Sequence, residues 1–214
     1  MFELKNPKFA ITIVLIAGLF WSFGPYVVRN IDQPHLVPWQ YLFTRGLMIF
    51  LLLNIYLYLN EGLKFIYNYK KIGSSGLIGS CGLAIAMITF IWSITNTTAA
   101  ITLLCLASMP FITALLGFLF LNEKVSTNVW VSIIFAAIGI IIMSLGNKEE
   151  NTIAGLFFGL TSSVGFSVFS VSLRWRPETP KFTTVSIAGL ICFFVSLLIL
   201  ILSNENILSS SKNQ

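Results

Sequence analysis

GSSGLIGSCG, residues 73–82, sets glycines three apart at Gly73, Gly76, Gly79 and Gly82. Two readings compete for this stretch: a phosphate-cradling loop, or a face of a helix kept small. A dinucleotide fingerprint follows a strand, opens a soluble helix and has an acidic residue about 20 positions on. A Walker loop needs Gly-Lys-Ser/Thr. No strand pattern precedes residue 73, and the stretch holds no lysine. Residues 83–92, LAIAMITFIW, continue it as a run that is apolar but for Thr89. The four glycines therefore read as a stripe along an apolar helix, widened by Ser75, Ser80 and Ala84. Small residues let neighbouring backbones come close inside lipid, where packing drives helix association.

The composition around the stretch agrees. The chain has 214 residues, of which 56% are hydrophobic and only 10% charged, with a mean hydropathy of +0.87. A soluble domain carries roughly a quarter charged residues, so this chain cannot cover a water-facing surface. A bilayer-spanning helix takes about 20 apolar residues, and such runs lie near 9–28, 39–59, 72–94, 99–121, 128–145, 153–173 and 182–202. The first run is longer than a signal-peptide core of roughly 7–15 residues and lacks an A-x-A site, so it reads as a retained span. The connections between runs are short and polar, which makes neighbouring helices antiparallel. The expected fold class is all-α: a polytopic membrane helical bundle with seven transmembrane helices.

The cations set the orientation. With the N-terminus inside, Lys5, Lys8, Lys64, Lys70, Lys71, Lys124, Arg174, Arg176 and Lys181 fall inside. Only Arg29, Lys148 and Lys212 fall outside. This positive-inside bias predicts a multi-pass protein of the cell (inner) membrane, N-terminus cytoplasmic and C-terminal tail outside. The net charge of +5 is thus a topology signal, and no nucleic-acid motif accompanies it. Lipid bilayer and a small-molecule substrate are the expected partners, with a homodimer as the candidate assembly and no nucleic acid.

Catalysis finds little to work with. The single histidine, His35, falls in an outer loop, and all eight carboxylates fall in loops or tails. No base, nucleophile set, metal cluster or intramembrane proton relay can be assembled from them. Cys81, Cys105 and Cys192 all lie in spans, where they read as small apolar residues. An enzyme is not expected, nor any cofactor or metal.

Polar groups inside the spans are the candidate substrate contacts. Arg45 lies six residues past Trp39, about 9 Å along a helix, and a charge there should face the bundle interior. It either anchors an anionic substrate group, or pairs with Asp32 or caps backbone carbonyls near the outer face. Asn96 closes the third span in FIWSITNTT, and Ser163 and Ser167 lie in TSSVGFSVFSVS of the sixth. These serines either bond back to their own helix or line a hydrated face. Trp21 sits mid-span beside Gly24-Pro25, a predicted kink, as core or cavity wall.

Two weak internal repeats are visible. AGLF occurs at 17–20 and 154–157, and WSFGPYVVR, ending at Arg29, aligns with FSVFSVSLR, ending at Arg174. A unit of five spans is odd, so a second copy enters inverted. The expected organisation is a five-helix repeat over 1–146, the first two helices of a second, incomplete repeat over 152–202, and a polar tail over 203–214.

AAITLLCLASMPFITALLGFLFLNEKVSTNVWVSIIFAAIGIIIM, residues 99–143, carries a proline mid-helix, a glutamate after the apolar run, a short turn and a glycine-containing span. With Trp21-Ser22 and Arg45, this resembles the EamA-type unit of the drug/metabolite transporter superfamily. The resemblance implies two inverted five-helix repeats around a central cavity. It also implies movement of small polar metabolites, often by export, and the expected function is a transporter of small polar or anionic metabolites working by alternating access. Pro110 and Glu123 are its matching positions in the fourth span. On that pattern this chain stops after the seventh span, so a half-transporter needing a partner, or a non-transporting truncated product, is the alternative.

Overall fold

The computed structural model describes residues 11–13, 15, 16, 18, 19, 23, 24, 28, 38–146 and 152–203. Trp21, Pro25, Asp32, His35 and residues 204–214 lie outside the described residues, and with them the expected kink and tail. Every element within 38–146 and 152–203 is helical. They are α1 (Pro38–Glu61), α2 (Phe65–Lys70), α3 (Gly73–Asn96), α4 (Ala99–Ala107), α5 (Met109–Leu121), α6 (Thr127–Gly146), α7 (Ile153–Trp175) and α8 (Lys181–Leu202). Among the described residues five helical stretches are long and apolar enough to cross a bilayer: 38–70, 73–96, 99–121, 153–175 and 181–202. Apolar α6 stands where the fifth span is expected.

Two departures from the sequence reading have local causes. The connection after residue 59 is helical, not a loop: α1 runs through a 3-10 turn, Gly62–Lys64, into α2. Gly62 takes a φ of +60° there, a backbone region that favours glycine. Tyr58, Phe65 and Tyr69 stack edge to face along this segment, as suits aromatic residues at a membrane–water boundary. The fourth span is not one helix but α4 and α5, broken at Ser108. Pro110 has no N–H to give and its ring clashes with the carbonyl four residues earlier, so the helix restarts around it.

The helices lie side by side in the order α1, α8, α3, α7, then α4 and α5, with α6 along their far edge. The central helix α3 is the most enclosed. It runs antiparallel to α7: Ser75 meets Ser172, Gly82 meets Gly165 and Ser93 meets Gly155. It runs parallel to α8, where Ser80 donates to the Thr184 carbonyl at 2.9 Å. Helices α1 and α8 are antiparallel, with Phe43 stacked on Phe193 and Tyr56 on Phe182. The core gathers Leu42, Leu83, Met87, Phe90, Ile91 and Ile94 among these helices. Large apolar side chains such as Leu52, Phe120, Phe135 and Leu198 point outward, the arrangement of a protein whose solvent is lipid.

Small residues set the interhelical distances. A Cβ at Gly165 would lie 2.5 Å from the Gly82 carbonyl oxygen and 2.9 Å from the Ala86 nitrogen. A Cβ at Gly46 would lie 2.7 Å from the Gly189 oxygen, and one at Gly189 2.9 Å from the Gly46 oxygen. Of the glycine stripe, Gly76, Gly79 and Gly82 are buried, where added carbons would strike Thr179 and Thr184, Ser172, and Val168 respectively. Gly73 departs from the stripe: it is exposed and takes a φ of +57°. Its glycine serves the turn that opens α3 rather than helix packing.

Candidate functional site

Hydroxyl groups stitch the helices together at the depth of the α4–α5 break. A helix interrupted in lipid leaves carbonyls without amide partners, and each must find a donor. Ser108 donates to the Cys105 carbonyl, at 3.1 Å from its amide and 2.5 Å from its Oγ. Ser163 Oγ of α7 donates to that same carbonyl. One turn further along, Ser167 donates to the Met109 carbonyl at 3.1 Å and to the Ser163 carbonyl at 2.7 Å. Both serines are fully buried. The structure thus brings Ser163 and Ser167 to the break that Pro110 enforces, with Pro110 itself exposed. These hydroxyls hold a discontinuous helix against an intact one. Ser162 leaves its own helix altogether and donates to Ala86 of α3 at 2.9 Å.

Arg45 and Asn96 lie elsewhere. Arg45 is half-buried on α1, beside Gly46, where α1 and α8 touch. One turn earlier the Leu42 carbonyl takes the Cys192 thiol at 3.7 Å. Among the described residues no carboxylate lies within ion-pairing reach of Arg45. Asn96 ends α3; its amide donates to the Trp92 carbonyl at 2.7 Å and its own carbonyl accepts the Thr152 hydroxyl that caps α7. Trp92 meets Trp39 of α1 at 5.5 Å between ring centroids, which places Arg45 and Asn96 toward one end of the bundle. Helices α8 and α3 stand between Arg45 and the serine pair, so the five described candidates do not form one lining: Pro110, Ser163 and Ser167 meet at the break, and Arg45 and Asn96 lie apart from it. Trp21 lies outside the described residues.

Two polar features escaped the sequence reading. Asn54, within the apolar run of α1, donates to Ser186 of α8 at 2.8 Å and accepts from the Tyr69 hydroxyl of α2 at 2.7 Å. An amide in the middle of the apolar stretch 47–59 was its signal. At the other edge, Arg174 at the end of α7 pairs with Glu123 at 2.8 Å and reaches the Thr113 carbonyl at 3.3 Å. Asn122, left-handed at φ 53°, ends α5 and turns the chain so that the Glu123 carboxylate lies over Gly117. No local pattern announces that contact, because its partners are 51 residues apart. Among the described residues no group of three His, Cys, Asp or Glu side chains could hold a metal ion.

Long apolar helices, joined by close glycine contacts and hydroxyl-to-carbonyl bonds, define a multi-pass α-helical membrane protein. The chain belongs to the EamA-like transporter family, whose profile matches residues 8–145. It is 26% identical over 169 residues to an uncharacterized transporter of Helicobacter pylori strain ATCC 700392 / 26695. It is 25% identical over the same length to another uncharacterized transporter, from strain J99 / ATCC 700824. Each match covers 78% of this chain and 55% of the relative, so the chain spans about half the length of these curated relatives. No solved structure matches.

Proposed function

We propose that this chain serves the export of small polar or anionic metabolites by alternating access, with residues 38–146 in one half and α7 and α8 in an inverted second half. The reciprocal approach of Gly46 and Gly189 carries the reading. Helices α1 and α8 are the second helices of the two expected units, and each presents a glycine to the other's backbone. A two-fold axis in the membrane plane produces such self-pairing of equivalent helices, and alternating access is a rocking of one half against the other about that axis. The family supports a transporter, and Arg45, beside this contact, supports an anionic cargo. The broken α4–α5 helix adds support, since interrupted spans recur near transporter substrate sites. The test is uptake and efflux in proteoliposomes with labelled small anions, cations and neutral solutes. Saturable flux of an anion class, strongest from the face bearing Lys70 and Arg176, is expected. Flux of cations alone, or none above protein-free vesicles, would reject the reading.

The orientation is part of the same proposal. Arg176 lies beside Gly73, and Arg174 pairs with the residue before Lys124, so these basic segments share one end of the bundle. By the positive-inside rule that end is cytoplasmic. A membrane-impermeant thiol reagent should label Asn68→Cys only after the cells are opened. Labelling in intact cells would reverse the topology.

A further inference from the structure

We propose that the basic end of the bundle holds a site for one anionic phospholipid, with its phosphate between Lys71 and Arg176 and one acyl chain in the apolar cleft beneath. Two clefts meet at this end. The first, about 780 Å³, is lined by the charged Lys71, Arg176 and Glu178 together with Ile72, Gly73 and Pro177, with Trp175 in its wall. The second, about 480 Å³, opens between α3, α5 and α7 and is lined by Ile78, Leu116, Phe120, Val168 and Val171, again with Trp175. Trp175 thus stands in both walls, at the last residue of α7, where apolar span gives way to polar loop. A recess with charged groups that shares a tryptophan wall with an apolar cleft matches a lipid, whose phosphate and first methylenes lie on either side of that boundary. A small soluble anion has no use for the second cleft.

The charges favour the anionic class. Arg176 Nη1 lies 3.5 Å from where a Gly73 side chain would begin, and its guanidinium stacks 5.4 Å from the Trp175 ring. Lys71 Nζ sits 4.8 Å over the Tyr67 ring. Both cations are therefore held by aromatic faces, and among the described residues neither makes an ion pair. Arg174, next to Trp175, is committed to Glu123. Glu178 is the single carboxylate at the recess, which leaves it one positive charge in excess. A phosphate between Lys71 and Arg176 takes up that excess, with the planar guanidinium suited to two phosphate oxygens.

The experiment uses the whole chain in phosphatidylcholine nanodiscs, titrated with phosphatidylglycerol bearing brominated acyl chains. Bromine quenches Trp175 fluorescence on contact, and Trp175→Phe identifies that signal among the other tryptophans. Saturable quenching of Trp175 is expected. Lys71→Gln/Arg176→Gln should raise the half-saturating lipid fraction about thirtyfold, the combined effect of two surface cations. Leu116→Phe, which narrows the apolar cleft and leaves the cations in place, should lower the extent of quenching. Glycerol phosphate in solution should not displace the lipid. Three results would overturn the proposal. One is quenching that the double variant leaves within twofold of the parent. Another is displacement by glycerol phosphate, which marks a soluble-anion site. The last is no Trp175 quenching at all, which marks a cleft filled by another copy or another segment of chain.

Discussion

Replacing Gly165 by leucine should destroy the assembled bundle. The Cβ alone would stand 2.5 Å from the Gly82 oxygen, against backbone that cannot swing aside as a side chain does. The remaining carbons would push α7 off α3 along the interface that also carries Ser75, Ser93 and Ser162. Forcing extra volume into a tight contact costs about 1–3 kcal/mol, and loss of the crossing hydroxyl bonds adds to it. Monodisperse protein recovered in mild detergent, and its midpoint of thermal unfolding, are the measurements. Gly165→Leu should give little or no folded material. Gly139→Leu in α6, where a Cβ meets nothing within 4 Å, should behave like the parent. Equal recovery of both variants would mean that α3 and α7 do not pack through Gly82 and Gly165.

Changing Arg45 to lysine should lower transport about tenfold while the unfolding midpoint stays put. Lysine keeps the charge and loses the planar fork that grips an anion at two oxygens, and a tenfold loss corresponds to about 1.4 kcal/mol. The residue is half-buried where α1 meets α8, and no carboxylate among the described residues neutralises it. Asp32→Asn should leave both transport and stability nearly unchanged. If Arg45→Lys and Asp32→Asn lose thermal stability equally, and transport falls only with the amount of folded protein, Arg45 is a structural partner of Asp32 and not a substrate contact.

Several features of this chain are written locally. Apolar runs of span length and basic connections are properties of consecutive residues, so the helices at 73–96, 153–175 and 181–202 begin and end within about two residues of their expected bounds. Pro110, in the sequence only a mark of the family pattern, breaks the expected fourth span, because the missing N–H belongs to the residue itself. The proline, glutamate and turn of residues 99–143 carry the family resemblance, and the family profile spans the same region.

Other features wait for the tertiary structure. TSSVGFSVFSVS is equally compatible with hydroxyls bonding back along α7, facing water or crossing to a neighbour. Only the placement of α4, α5 and α3 sends Ser163 to Cys105, Ser167 to Met109 and Ser162 to Ala86. Gly73 and Gly76 look alike in sequence, yet one opens a turn and the other lies under Thr179 and Thr184. Glu123 and Arg174 look like loop charges until the ends of α5 and α7 meet. The reason is physical. In lipid the apolar pattern is satisfied on every side of a helix, so it sets length and depth but not rotation or partner. The partner is chosen by where small side chains let backbones touch and where an unpaired carbonyl finds a hydroxyl, and both depend on residues far apart in the chain.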